Sequence, residues 1–175
     1  MKVCLTTLYD DNFSKFAPYV LKSFEKFCEY NDCDLIVHSQ LLKPELHPSW
    51  NKLHVIKNAF KTHDFVIWAD ADSLFTNKAG SFLELNSVDE STNFMTTYDG
   101  NGICLSHGEK WEQNTLKGIQ KHFNIQTQYM HEHAAVDCTY GTTPPEYFFY
   151  HYPVTANEKR YELIKAHYEH YFKQT

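Results

Sequence analysis

The chain begins with a short apolar segment, Lys2-Val3-Cys4-Leu5-Thr6, and residues 2–8 predict a buried strand closed by the polar turn Asp10-Asp11-Asn12. Ala17, Val20, Leu21, Phe24, Phe27 and Cys28 then recur at the three-to-four spacing of one helix face. Pro18 suits the first turn of that helix, where its missing N–H is no loss, with Phe13 and Phe16 in the entry turn. Asp34-Leu35-Ile36-Val37-His38 predicts a second strand. After Pro48 a second helix is expected, with Trp50, Leu53, Ile56, Ala59 and Phe60 inward. Phe65-Val66-Ile67-Trp68-Ala69 is continuously apolar, the pattern of a strand covered on both faces. This β-α-β-α-β alternation implies a parallel sheet flanked by helices.

The second half is less regular. Asn93–Tyr98 and Ile103–Ser106 predict strands joined by the turn Asp99-Gly100-Asn101-Gly102. Residues 109–123 predict a helix with Trp111, Thr115, Leu116, Ile119 and Phe123 inward, and a short helix is expected over about 131–138. Tyr147–Tyr150 predicts a strand, and a last amphipathic helix after Asn157 carries Tyr161, Ile164, Tyr168 and Tyr171. The sheet is therefore expected to be mixed and mostly parallel, with function at the C-terminal ends of its parallel strands.

A length of 175 residues suits one domain, 1–175. The formal net charge is −6 and the longest cationic run is Lys159-Arg160, so a nucleic-acid-binding face is not expected. No apolar run reaches the roughly 18 residues of a membrane span, and no signal peptide is recognisable. The five cysteines, Cys4, Cys28, Cys33, Cys104 and Cys138, are scattered, and no second close pair joins Cys28 and Cys33 into a zinc site. They read as reduced, mostly buried thiols of a cytoplasmic protein. The 12 Tyr, 13 Phe and 3 Trp supply the core, with some loop rings, such as Tyr98, Tyr129 and Tyr140, available to stack on sugar faces.

The chemistry concentrates at Val66-Ile67-Trp68-Ala69-Asp70-Ala71-Asp72, where an apolar strand ends in two carboxylates one residue apart. Extended geometry points both side chains the same way. Two such anions repel near a core unless a cation lies between them, and a divalent ion bound by hard oxygens resolves the conflict. A solvated turn is the competing interpretation.

On these residues the sequence resembles the nucleotide-sugar-dependent glycosyltransferases of the GT-A fold, nearest to the family of galactosyl-, mannosyl- and xylosyltransferases. The resemblance runs from residue 2 to about 165. It rests on Pro48-Ser49-Trp50-Asn51-Lys52, Phe65 through Ser73, Asn101-Gly102-Ile103-Cys104-Leu105 with Trp111, Glu132-His133-Ala134-Ala135, and His151-Tyr152-Pro153. It implies a GT-A-like (Rossmann-like) α/β fold with a mixed, mostly parallel sheet flanked by helices, its nucleotide-sugar-binding half at about 1–75 and its acceptor half at about 76–175. It further implies transfer of a hexose or pentose from a UDP- or GDP-sugar to a glycan or other hydroxyl acceptor, with Mn²⁺ or Mg²⁺ held by Asp70, Asp72 and His151. Thr6, Thr7, Leu8 and Tyr9 would cradle base and ribose, and Ala71 would accompany the aspartates at the donor. Lys52 is placed to neutralise nucleotide charge, and Lys159 or Arg160 to touch the departing diphosphate, though surface lysines need no such role. Glu132, Asp99 and Asp137, in that order, are candidates for the base of an inverting reaction, whereas the resembled family retains configuration. Family members are usually longer and membrane-anchored, so a minimal unanchored version is expected.

Two other functions fit the motif. A haloacid-dehalogenase-like phosphatase would use Asp70 as nucleophile and Asp72 as general acid, but expects them on the first strand. A non-catalytic nucleotide- or carbohydrate-binding module would not need the intact Asp70, Asp72 and His151. His131-Glu132-His133 has a zinc-like composition, but histidines at i and i+2 do not share a helix face.

Overall fold

The computed structural model describes residues 1–77, 82–85, 87–88, 95–98, 103–104, 128–129, 135–137, 149–152 and 156–173. Strand β1 (Val3–Leu8) is the middle of a parallel sheet, between β2 (Asp34–His38) and β3 (Phe65–Trp68). It is buried from Val3 to Thr7, as an apolar central strand should be. Leu5 lies opposite Leu35 on one side and Ile67 on the other, which puts the C-terminal ends of all three strands at one edge. β3 borders this sheet among the described residues, so Phe65, Val66 and Trp68 are only half-buried. The expectation that β3 is sealed on both faces is corrected accordingly.

At the opposite edge the strand starts are tied together by charge. The Lys2 backbone N–H donates to Asp64 Oδ2 at 2.6 Å, Lys2 Nζ lies 3.3 Å from Asp34 Oδ2, and His63 Nε2 lies 2.9 Å from the same oxygen. The hydrogen bond from His63, then Lys2, holds the Asp34 carboxyl below the usual carboxylate range.

Helix α1 (Ala17–Asn31) follows the predicted stripe, burying Ala17, Val20, Phe24, Phe27 and Cys28 together with Ser23. It ends at Asp32, whose left-handed φ of 49° turns the following Cys33 N–H back onto Cys28 O at 3.2 Å. Ser23 Oγ donates to Val20 O and accepts the Phe75 N–H at 3.3 Å, which fastens α1 to β4 (Ser73–Phe75). Phe27 and Phe75 stack at 4.0 Å between centroids, with Phe24 and, in the one-turn α3 (Phe82–Leu85), Phe82 packed edge-on. Each such pair adds about 0.5–1.5 kcal/mol beyond area burial. Cys4 and Cys28 are buried free thiols, and burial pushes the Cys4 thiol up to about 11.

Helix α2 (Pro48–Ala59) departs from its predicted face. Asn51, Val55 and Ala59 are buried, while Trp50, Leu53 and the following Phe60 are 39%, 52% and 54% exposed. The reason is polar: the Asn51 side chain accepts the Lys43 N–H and donates to Lys43 O. That clamp turns residue 51 inward, and positions 55 and 59 follow at four-residue spacing.

The second half supplies short strands. β5 (Met95–Tyr98) pairs antiparallel with β6 (Ile103–Cys104) and parallel with β7 (Gln128–Tyr129). The expected helix over 109–123, Asp99 and Glu132 lie outside the described residues. Within the expected helix over 131–138, residues 135–137 instead form β8 (Ala135–Asp137), paired in parallel with β9 (Phe149–His151). Ladder pairing here outweighs the local helical signal of the two alanines. β9 in turn pairs antiparallel with β4, so His151 ends a strand rather than following one.

Helix α4 (Asn157–Phe172) buries Arg160, Ile164 and His167, with Tyr161, Tyr168 and Tyr171 partly buried against the core. Among the described residues no helix is long and apolar enough to cross a membrane. His167 packs against Tyr150 and Tyr152, and its Nδ1 lies 2.7 Å from the Tyr152 hydroxyl. Burial, then His170, lowers its pKa below the ordinary 6.5. Below about pH 6.5 the unfolded histidine therefore binds protons that the folded one resists, so stability is full above that pH and is lost as pH falls. Urea unfolding at pH 7.5 and 5.5 should show a smaller loss in His167→Gln than in the wild type. Equal losses would exclude His167 as a source of acid sensitivity.

Candidate functional site

The carboxylates of Asp70 and Asp72 lie just beyond the C-terminal end of β3. The Ala69 N–H still donates to Thr6 O, so the chain leaves the sheet immediately before Asp70. Asp70 is oriented by its own strand: the Trp68 indole N–H donates to Asp70 Oδ1 at 2.8 Å. Asp72 is buried at 8% exposure and leads directly into β4. Opposite it, the Tyr152 N–H donates to Asp72 O at 2.9 Å and Ser73 pairs with His151. Residues distant in sequence are thus held against the Asp70-Ala71-Asp72 turn by main-chain bonds.

The side chains converge. His151 Nε2 lies 3.7 Å from Asp70 Oδ2 and 3.5 Å from Asp72 Oδ1. One ligand atom from each of the three residues falls within 4.8 Å of the others. These separations exceed a charge-assisted hydrogen bond of about 2.7–2.9 Å, so the three groups surround a shared space. Two carboxylates and one imidazole fit a divalent cation of the Mn²⁺ or Mg²⁺ type. The Asp70 side chain is 31% exposed, which leaves one side of the space open to a ligand.

A buried cation stands behind the carboxylates. Arg160 Nη2 lies 3.5 Å from Asp72 Oδ2, and the Arg160 side chain is about one-tenth exposed. Asp72 thus faces His151 through one oxygen and Arg160 through the other. Of the two cations the sequence offers for the diphosphate, Lys159 or Arg160, Lys159 is exposed on α4 and Arg160 is buried. The signal for Arg160 was present: it precedes Ile164 by four residues and His167 by seven, on one helical stripe. The indole of Trp68 as a donor to Asp70 had no sequence signal beyond its place in the apolar run.

The other candidate residues are distributed as follows. Thr6 and Thr7 are fully buried in β1, with Thr6 Oγ1 donating to Ile36 O and Thr7 Oγ1 having no hydrogen-bond partner among the described residues. Their side chains are buried, whereas Leu8 and Tyr9 are half-buried at the C-terminal edge of the sheet. The Tyr9 N–H closes on His38 O. Ala71 is buried between the two aspartates, and Lys52 is half-buried on α2. Asp137 stands beside His151 in the β8–β9 register. A surface recess bordered by Cys28, Cys33 and Asp34 lies at the start of β2, away from this edge.

No protein-family model matches the chain, and no curated protein matches its sequence. Its backbone nevertheless matches a solved structure described as a glycosyltransferase involved in the glycosylation of the major capsid of PBCV-1. The TM-score is 0.65 at 16% identity, over 95% of this chain and 100% of that chain. At that identity the likeness is one of fold. The architecture, a parallel three-stranded sheet flanked by helices within a mixed α/β chain, is that of a GT-A-like fold.

Proposed function

We propose that this protein is a metal-dependent glycosyltransferase that moves a hexose or pentose from a UDP- or GDP-sugar to a hydroxyl of a glycan or other acceptor. The observation that carries the proposal is the convergence of Asp70, Asp72 and His151 at the C-terminal edge of the parallel sheet. The fold shared with a structure described as a glycosyltransferase involved in the glycosylation of the major capsid of PBCV-1 supports the reaction class. A bound Mn²⁺ or Mg²⁺ would supply positive charge to the leaving diphosphate.

The chain's own groups do the rest. Asp70, held by the Trp68 indole, presents a carboxylate oxygen to the open side of the site. His151 would contribute an imidazole nitrogen, and Asp72 the oxygen facing it. Leu8 and Tyr9, with the backbone at the end of β1, border the space for base and ribose. Lys52 and Lys159 are secondary candidates for the nucleotide's negative charge. For an inverting reaction Glu132, Asp99 or Asp137 would take the acceptor proton. Of these, Asp137 has a register position next to His151.

Screening UDP- and GDP-sugars by thermal shift with Mn²⁺, followed by assay of sugar release and transfer, tests the proposal. A specific nucleotide sugar should raise the midpoint only with metal present, by mass action on the native state. Release of inorganic phosphate from monoesters instead would favour the phosphatase, and binding without turnover would favour the binding module.

Asp70→Asn should weaken Mn²⁺-dependent nucleotide binding by about 100-fold or more, beyond the 10–100-fold cost of losing an outer partner. Folding should be nearly unchanged, because the amide oxygen still accepts from Trp68. Unaltered Mn²⁺ dependence in calorimetric titration would exclude Asp70 as a ligand. His151→Ala should reduce Mn²⁺ affinity more than Mg²⁺ affinity, since it removes the one nitrogen donor from an otherwise oxygen site. Parallel Mn²⁺ and Mg²⁺ titrations read this out, and identical curves for wild type and variant would remove His151 from the site.

A further inference from the structure

Arg160 is a cation on the inward stripe of α4, 8% exposed, where an unpaired guanidinium would be strongly destabilising. All three of its nitrogens are engaged. Nε donates to Tyr152 O at 3.0 Å, Nη1 donates to Asn157 Oδ1 at 3.1 Å, and Nη2 lies 3.5 Å from Asp72 Oδ2. The rings of Phe13 and Phe16, from the turn that follows β1, lie 5.4 and 5.9 Å from the guanidinium carbon. The Tyr152 N–H returns to Asp72 O, so Asp72, Tyr152 and Arg160 form a closed circuit of polar contacts. The circuit is rigid because the planar fork of an arginine fixes its donor directions, which a lysine does not.

We propose that Arg160 is a positioning residue that makes Asp72 a one-oxygen metal ligand. By occupying the side of Oδ2, it leaves Oδ1 to face the space shared with Asp70 and His151. With its nitrogens committed to protein partners, Arg160 acts through Asp72. It also couples the metal site to the turn after β1 through Phe13 and Phe16, so the nucleotide-facing end of β1 and the metal carboxylate share one buried anchor. This inference rests on the metal-site proposal, but it assigns to Arg160 a role that the three-ligand group does not contain.

The test uses the full chain without nucleotide. Mn²⁺ affinity is measured from the free-ion electron paramagnetic resonance signal, and the coordination mode of Asp72 from the carboxylate stretching bands in Mn²⁺-minus-apo infrared difference spectra. Arg160→Gln should bind Mn²⁺ about 10–100-fold more weakly and shift the carboxylate splitting toward two-oxygen coordination. Arg160→Lys should retain the charge but not the fork, giving an intermediate affinity and a splitting that still differs from wild type. A folded Arg160→Gln protein with wild-type affinity and splitting would overturn the proposal. If that variant does not fold, wild-type affinity and splitting in Arg160→Lys would overturn it instead. Asp70→Asn separates the two inferences: equal Mn²⁺ binding by it and the wild type would sink the metal site itself, whereas loss in Asp70→Asn with none in the Arg160 variants would sink only the role of Arg160.

Discussion

The antiparallel pairing of β4 with β9 is the contact on which the site depends. β4 begins one residue after Asp72, and β9 ends at His151, so the register Ser73↔His151 brings an imidazole to the two carboxylates. The Tyr152 N–H extends this ladder to Asp72 O. Main-chain hydrogen bonds contribute modestly one by one, but a one-residue slip in a strand reverses every side-chain direction. Register here determines whether an imidazole faces the aspartates at all.

The same pairing controls the cost of concentrating charge. Asp70 and Asp72 leave an apolar strand into a largely buried turn, where two carboxylates repel. The fold meets part of that repulsion with fixed groups, the Trp68 indole on Asp70 and the Arg160 guanidinium near Asp72. Removing the charge of Asp72 would therefore relieve repulsion and also deprive Arg160 of its counter-charge. This differs from the simpler picture of two aspartates waiting only for a cation. Arg160 is itself held by Tyr152 O, so the helix after β9 and the turn after β3 are parts of one electrostatic arrangement.

The parallel sheet separates holding from acting. Its N-terminal edge is closed by Lys2, Asp34, His63 and Asp64, which join the starts of β1, β2 and β3. Its C-terminal edge carries the exits of β1 and β3, with Leu8, Tyr9 and Asp70 still partly open. Between them the aromatic cluster of Phe24, Phe27, Phe75 and Phe82 fixes α1 against β4. Packing beneath β4 thus supports the strand that positions Asp72, while the open edge remains available to a ligand.

Much of the first half was readable from residue order alone. Strands β1 to β3, helix α1 and the termination of an apolar strand in Asp70-Ala71-Asp72 depend on periodicity and on charge repulsion between near neighbours, both local properties. Local patterns did not reveal which face of α2 turns inward, because the Asn51 clamp on Lys43 outweighed the apolar stripe of Trp50, Leu53 and Phe60. Nor did they reveal β8, whose three residues become a strand only when β9 lies beside them. The resemblance raised His151 as a ligand and left Lys159 and Arg160 undivided, but sequence carries no distances. Tertiary structure decided that Arg160 is buried behind Asp72 while Lys159 faces solvent, because that distinction depends on how α4 docks after β9 and pairs with a turn formed far earlier in the chain.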